Sequence, residues 1–280
     1  MSEREISEVA VVTGAGRARG IGRAIACRLA ADGFAVVVHE RSSDPSRRPL
    51  AEHEAGWRGA ASVVEEIVAN GGRATTVEGD VCDPMTASRL VAAAASLGDL
   101  AVLVNNHGSA GEANSFMAHE APDEVWDETV AVNLTSLHRL TKVIVPELAR
   151  SAALRRSIVN LSSTAGHRAL GKYGAYCASK AAVERLTEQQ AIELARFQIR
   201  VNCIAPGLTP TDMIDATLAR AGAASGSAAS DIAEATRKRI PLRRFATTAD
   251  IAGAVAFLVG ADAAYVTGQV LTVDGGMALV

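Results

Sequence analysis

Tyr176 and Lys180 are the residues of this 280-residue chain whose types and spacing most directly imply chemistry. They lie in a stretch of helical spacing, where positions i and i+4 share a face, so phenol and ammonium point into one cleft. A free tyrosine, with a pKa of about 10, is a poor proton carrier near neutrality. A neighbouring cation favours the phenolate and lowers that value. The pair can then serve as general acid toward a ketone oxygen or as base toward an alcohol. YxxxK alone is common by chance, so its context matters. A second feature is the run Thr13-Gly14-Ala15-Gly16-Arg17-Ala18-Arg19-Gly20-Ile21-Gly22, which follows an apolar run and opens a helical one. Glycines there permit a tight turn and let a pyrophosphate approach a helix N-terminus. The bland alternative is an ordinary glycine-rich turn.

The elements that must position these groups alternate along the chain. Runs 9–13, 34–38, 74–78, 100–104, 157–161, 200–204 and 270–273 read as strands, and 21–32, 62–69, 85–96, 126–148, 176–197 and 250–259 have helical spacing. Run 100–104 is apolar throughout, as a strand covered on both faces should be. The alternation predicts an α/β fold, a doubly wound parallel sheet with helices on both faces and ligands at the carboxyl ends of the strands. Two stretches interrupt it. Residues 42–59 are polar, contain Pro45 and Pro49, and lengthen the second strand-to-helix connection. Residues 212–240 are rich in Ala, Ser, Gly and charge, and their middle, 222–230, reads as a mobile loop between short helices. The segment of about 211–240 is expected to be a substrate lid. With no internal repeat and no linker, residues 1–280 read as a single domain.

Composition excludes several classes. The formal net charge of -3 leaves no electrostatic footprint for nucleic acid or an anionic membrane. Arg47-Arg48 and Arg237-Lys238-Arg239 read as solvated faces. Cys27, Cys82, Cys177 and Cys203 form no CxxC pair and have no metal-ligand spacing with histidine, so reduced thiols in a cytoplasmic protein without a metal centre are expected. Cys177 adjoins Tyr176 and is the thiol best placed to react. Residues 1–8 are acidic and polar, unlike a signal peptide. No apolar run approaches the roughly 20 residues of a membrane helix.

Taken in order, the motifs from 9 to about 277 resemble the short-chain dehydrogenase/reductase family, in particular its 3-oxoacyl-carrier-protein reductase group. The longer segment after Glu40 is similar to the dehydrogenase domain of peroxisomal multifunctional β-oxidation enzymes. The family's loop reads TGxxxGxG. Here Gly14, Gly20 and Gly22 match, but five residues separate Gly14 from Gly20, two more than the pattern. The resemblance implies a Rossmann fold with four catalytic residues. Tyr176 handles the proton. Ser163, thirteen residues earlier, positions the substrate oxygen. Lys180 holds the nicotinamide ribose and tunes Tyr176. Asn133, in Val130-Ala131-Val132-Asn133-Leu134, holds a water linking the lysine to solvent. Ser162 and Tyr173 are decoys, the latter lacking a lysine four residues on. Further cofactor contacts are implied at Ile21, at Asp80 and Val81 on the adenine, and at Asn106 and Gly108. Pro206, Gly207, Thr209 and Thr211 complete the set, Thr211 aligning best with the carboxamide-contacting threonine. His107 stands where the family has alanine; its backbone is expected to serve while its ring fills local space. The pocket wall is expected from 165–173, Leu208, Met213 and the lid.

The implied activity is hydride transfer between NAD(H) or NADP(H) and a carbonyl or secondary alcohol, of 3-oxoacyl type or another small hydroxy compound. Cofactor signals conflict. Glu40 occupies the acid position of NAD-using members, while Arg41 and Arg19 are bases of the kind that hold a 2'-phosphate. The comparison favours NAD, because an unpaired acid facing a phosphate is hard to tolerate. The family's final strand packs between subunits, which implies a homotetramer. Two other readings are a nucleotide-sugar epimerase or dehydratase, which usually carries a longer C-terminal substrate domain, and a dinucleotide-binding regulatory or scaffold protein, which predicts a broken catalytic set.

Overall fold

The computed structural model describes residues 7–44, 46, 48–110 and 116–280. Pro45, Arg47 and residues 1–6 of the acidic N-terminus lie outside the described residues. Seven strands form one parallel sheet: β1 (Glu8–Val12), β2 (Ala35–Glu40), β3 (Ala74–Glu78), β4 (Asp99–Asn105), β5 (Ser157–Leu161), β6 (Arg200–Pro206) and β7 (Val270–Val273). Their order is β3-β2-β1-β4-β5-β6-β7. The order reverses at β1, which pairs with both β2 and β4, so a crevice opens beyond the carboxyl ends of β1 and β4.

Alternation along the strands divides the core. Ala10, Val12, Val36, Val38, Val102 and Val104 face α1 (Ile21–Ala31), α3 (Ala60–Ala69) and α10 (Thr248–Val259). Val9, Val11, Val37, Leu103, Ile158 and Val201 face α4 (Pro84–Leu97), α6 (Ser136–Arg150) and α7 (Gly174–Leu194). With both faces covered, inner strands carry apolar residues at consecutive rather than alternate positions, as in Val9–Val12 and Leu100–Val104. Among the described residues no helix is long and apolar enough to cross a membrane.

Two expectations need correction, and one gains detail. The helix expected over 126–148 is composite: α5 (Asp123–Val130), one π-helical turn at Ala131–Thr135, then α6. Its apolar spacing runs through the π turn, which hides the extra residue. The loop expected over 222–230 is mostly helix. Alanine-rich α8 (Asp212–Ser225) ends at Gly226, whose left-handed φ of 68° turns the chain into α9 (Ala229–Arg239). Finally, residues 42–59 contain a short helix, α2 (Leu50–Glu54).

Candidate active site

Strand β1 ends in the glycine loop, and its carboxyl-end neighbours hold that loop in place. Thr13 N–H donates to the Val104 carbonyl at 3.1 Å, and the Asn106 side chain donates to the Thr13 and Gly14 carbonyls at 2.9 and 3.0 Å. Gly14 N–H donates to His39 Nδ1 at 3.2 Å, and Ala15 N–H to the His39 carbonyl at 2.8 Å. At Gly14, φ is 65° and a β-carbon would stand 2.9 Å from His107 Cα, so the turn needs glycine. The first turn of α1 carries no side-chain cap and no acidic residue. Its N–H groups and dipole are thus left for an anion, which is what a dinucleotide pyrophosphate requires. Gly20 is the N-cap, followed by Ile21 and Gly22.

At the carboxyl end of β2 the Glu40 carboxylate lies half-buried beside Gly16 and Gly59, 4.0 Å from the Arg48 guanidinium. Burial raises its pKa, opposed by the Ala60 N–H and by Arg48. Arg41 turns to Asp80 at 3.3 Å. Asp80 also accepts the Cys82 N–H at 2.9 Å, and Val81 is buried. Arg19 turns to α8, 2.6 Å from Asp215 and 3.6 Å from Asp212.

The proton-handling groups come from β5, the π turn and α7. Tyr176 and Lys180 lie one turn apart on α7, with Lys180 Nζ 5.8 Å from the Tyr176 ring centroid. Lys180 Nζ donates to the Leu161 carbonyl at 2.8 Å. Burial lowers the Lys180 ammonium to about 8. Burial also raises the Tyr176 phenol, and a hydrogen bond with Ser163 opposes it. The phenol thus lies above its ordinary value, and the lowering expected from Lys180 does not appear: burial outweighs the Ser163 hydrogen bond. Ser163 reaches Tyr176, whereas Ser162 turns away to the Glu184 carboxylate at 2.7 Å, which separates partner from decoy. Tyr173, the other decoy, receives the Arg220 guanidinium at 3.4 Å.

Asn133 sits in the π turn and is buried. Its amide donates to the Ser109 carbonyl at 2.8 Å and to Ser179 Oγ at 3.0 Å, and its Oδ1 accepts the Ser109 N–H at 2.8 Å. It thus ties the segment after β4, with Gly108, to α7. Pro206 and Gly207 follow β6; Thr209 is buried with its hydroxyl on the Gly207 carbonyl, and Thr211 caps α8 without a side-chain bond.

A pocket opens beside Tyr176. Its walls include Phe116, Val125, Trp126, Thr129, Lys172 and Tyr173. The wall from the segment after β4 and from α5 was not foreseen from sequence, and Leu208 and Met213 do not line it. Sequence reading also missed His39, Glu52 and Trp57, because nothing in their own neighbourhoods marks them as partners of a loop 25 to 41 residues away. His107 does more than fill space. Its Nδ1 lies 2.7 Å from Thr13 Oγ1 and its Nε2 2.8 Å from Ser136 Oγ, which itself donates to the Val132 carbonyl. The neutral imidazole therefore donates from Nε2 and accepts at Nδ1, cross-linking the glycine loop to α6. Burial lowers it to about 3, which keeps it neutral and unsuited to proton transfer.

Comparison with known proteins adds independent findings. The family profile described as enoyl-(acyl carrier protein) reductase matches residues 14–278. The 3-oxoacyl-[acyl-carrier-protein] reductase FabG of Staphylococcus aureus is 35% identical over 276 residues, covering 98% of this chain and 99% of that one. Dehydrogenase/reductase SDR family member 4 of Bos taurus is 35% identical over 273 residues, 96% of this chain and 87% of that one. Among solved structures, an actinorhodin polyketide ketoreductase variant with NADPH superposes with a TM-score of 0.84 at 33% identity, covering 98% of both chains. Levodione reductase gives 0.83 at 28% identity, covering 99% of this chain and 100% of that one.

Proposed function

We infer the mechanism from one premise: the chain belongs to the short-chain dehydrogenase/reductase family. It is an NAD(P)-dependent oxidoreductase that moves a hydride between nicotinamide and a carbonyl or secondary alcohol. The observation that carries our assignment of roles is the half-buried Tyr176 phenol, hydrogen-bonded to Ser163, one helical turn from Lys180 and open to a pocket. When bound, nicotinamide supplies or takes up the hydride. In carbonyl reduction Tyr176 gives its proton to the substrate oxygen as negative charge develops there, and Ser163 aligns that oxygen. A phenol raised by burial stays protonated, which suits the acid role. Lys180 holds the nicotinamide ribose. Asn133 supports the proton path by fixing the chain around Ser109 against α7. Gly14, Gly20, Ile21 and Gly22 receive the pyrophosphate; Asp80 and Val81 the adenine; Asn106 and Gly108 the ribose side. Pro206, Gly207, Thr209 and Thr211 flank the carboxamide, and 211–240 forms the lid.

NAD is the cofactor we favour. Both bases that could hold a 2'-phosphate are engaged by carboxylates, Arg41 by Asp80 and Arg19 by Asp215, and Glu40 stands at the end of β2 beside Arg48 and the Ala60 N–H. The substrate class is a ketone or secondary alcohol with an apolar body, 3-oxoacyl-like, matched to Phe116, Val125, Trp126 and Tyr173. The protein works in the cytoplasm as a homotetramer. The test is Tyr176→Phe, titrated with NADH and NADPH by nicotinamide fluorescence and assayed on 3-oxoacyl thioesters and cyclic ketones. Tyr176→Phe should bind nucleotide as the wild type does and lose roughly 10²–10⁴ in turnover. Retained turnover would remove Tyr176 from the chemistry, and tighter binding of NADPH would reverse the cofactor assignment.

A further inference from the structure

The chain is lengthened twice, by two residues in the glycine loop and by residues 42–59 after β2, and the fold brings the two additions together. From α2, the buried Glu52 carboxylate accepts the Ala18 N–H at 2.7 Å and meets the Arg17 guanidinium at 3.4 Å. The Trp57 indole N–H donates to the Gly16 carbonyl at 2.7 Å. Arg23, on α1, closes the arrangement. Its guanidinium lies 5.3 Å from the Trp57 ring centroid, donates to the Ala18 carbonyl at 2.8 Å and pairs with Glu66 at 2.8 Å. Arg48 fastens the base of the insertion, donating to the Trp57 carbonyl at 3.1 Å and the Ser43 carbonyl at 2.9 Å. At Gly59 φ is 70° and a β-carbon would run into the Glu40 carboxylate, so the insertion returns to the sheet only through glycine.

The lengthened loop is therefore gripped by side chains of the insertion, Trp57 on Gly16 and Glu52 on Ala18, and Arg23 of α1 adds a third contact on Ala18. One of these removes the Ala18 N–H from the set that could meet a phosphate and leaves that task to the first turn of α1. We propose that Glu52 and Trp57 are positioning residues for the nicotinamide dinucleotide: they hold the lengthened loop in the shape that keeps the α1 N-terminus open to the pyrophosphate. An unbraced loop of this composition loses its conformational freedom when the ligand binds. A braced loop has lost it on folding, so binding is tighter. The inference rests on the nicotinamide-dependent reading given above.

Three variants of the full chain test it, each titrated with NADH and NADPH by nicotinamide fluorescence. Trp57→Phe keeps an aromatic ring beside Arg23 and removes only the donor to Gly16. Glu52→Ala removes the acceptor of the Ala18 N–H, and Glu52→Gln restores one without charge. The dissociation constant should rise about 3- to 10-fold in Trp57→Phe and in Glu52→Ala. Glu52→Gln should recover most of the loss, and the loss in Trp57→Phe, where a ring still fills the space, separates hydrogen bonding from space filling. Should Glu52→Ala fail to fold, Trp57→Phe decides alone. Wild-type binding with unchanged constants in Trp57→Phe overturns the brace; a wild type that binds neither nucleotide overturns the nicotinamide reading with it.

Discussion

Four titratable side chains cluster around the carboxyl ends of β1, β2, β4 and β5, and desolvation moves each toward its neutral form. Tyr176 is raised, Lys180 falls to about 8, His107 to about 3, and His39 is lowered as well. The histidines have a consequence for stability. Each has a folded pKa below its unfolded value, so the unfolded chain binds more protons between about pH 6.5 and the folded pKa. Stability is then fully present above that window and is lost as pH falls through it, by up to about 1.4 kcal/mol per pH unit for each histidine. His107→Ala should lose about 1–2 kcal/mol less than wild type between pH 7 and pH 5, measured by urea unfolding at both values. Thr13 and Ser136 keep the Val104 and Val132 carbonyls as partners after that substitution, so neither is stranded. Equal losses in both proteins would show that the ring is protonated in the folded state. The residue types of the active site were legible from sequence. Their protonation was not, because burial and hydrogen bonding decide it.

Among the elements, α8 joins the two halves of the site. Near its N-terminus Asp212 and Asp215 meet Arg19 of the glycine loop, and further along Arg220 meets Tyr173 of the pocket wall. The Arg19 pair is about half exposed on both sides, so its contribution is small, roughly 0.2–1 kcal/mol. Arg19→Gln should weaken NADH and NADPH alike by less than about fivefold, and the effect should shrink as salt rises. A loss confined to NADPH would place Arg19 on the 2'-phosphate instead. The π turn is the other element that matters. One extra residue in the helix between α5 and α6 aims Asn133 at both Ser109 and Ser179, a bridge that regular spacing would miss.

At the scale of the molecule, the sheet ends at β7, whose outer edge and surroundings present Leu271, the fully exposed Tyr265 and the exposed Phe257 and Leu279. A strand edge beside apolar side chains suits pairing with another copy. This supports the homotetramer, and sedimentation analysis should give a single species of about four times the 29.0 kDa chain mass. A monomer at micromolar concentration would contradict it.

The sequence by itself determined the strands of the sheet and brought together the residues proposed for the proton transfer. Strands β3, β5 and β7 have the bounds read for them from sequence, and Ser163, Tyr176 and Lys180 converge from the spacing of two motifs. Apolar periodicity and i, i+4 geometry are local properties, and local properties can be read from one dimension. Only the tertiary structure decided which partners meet across the fold. It turned Arg41 and Arg19 to carboxylates, set His39 and His107 on either side of Gly14, and laid Glu52 and Trp57 on the lengthened loop. Those contacts join residues far apart in the chain, with hydrogen-bonding groups that many positions could supply. Which of them pair is fixed by the packing of the sheet and its helices.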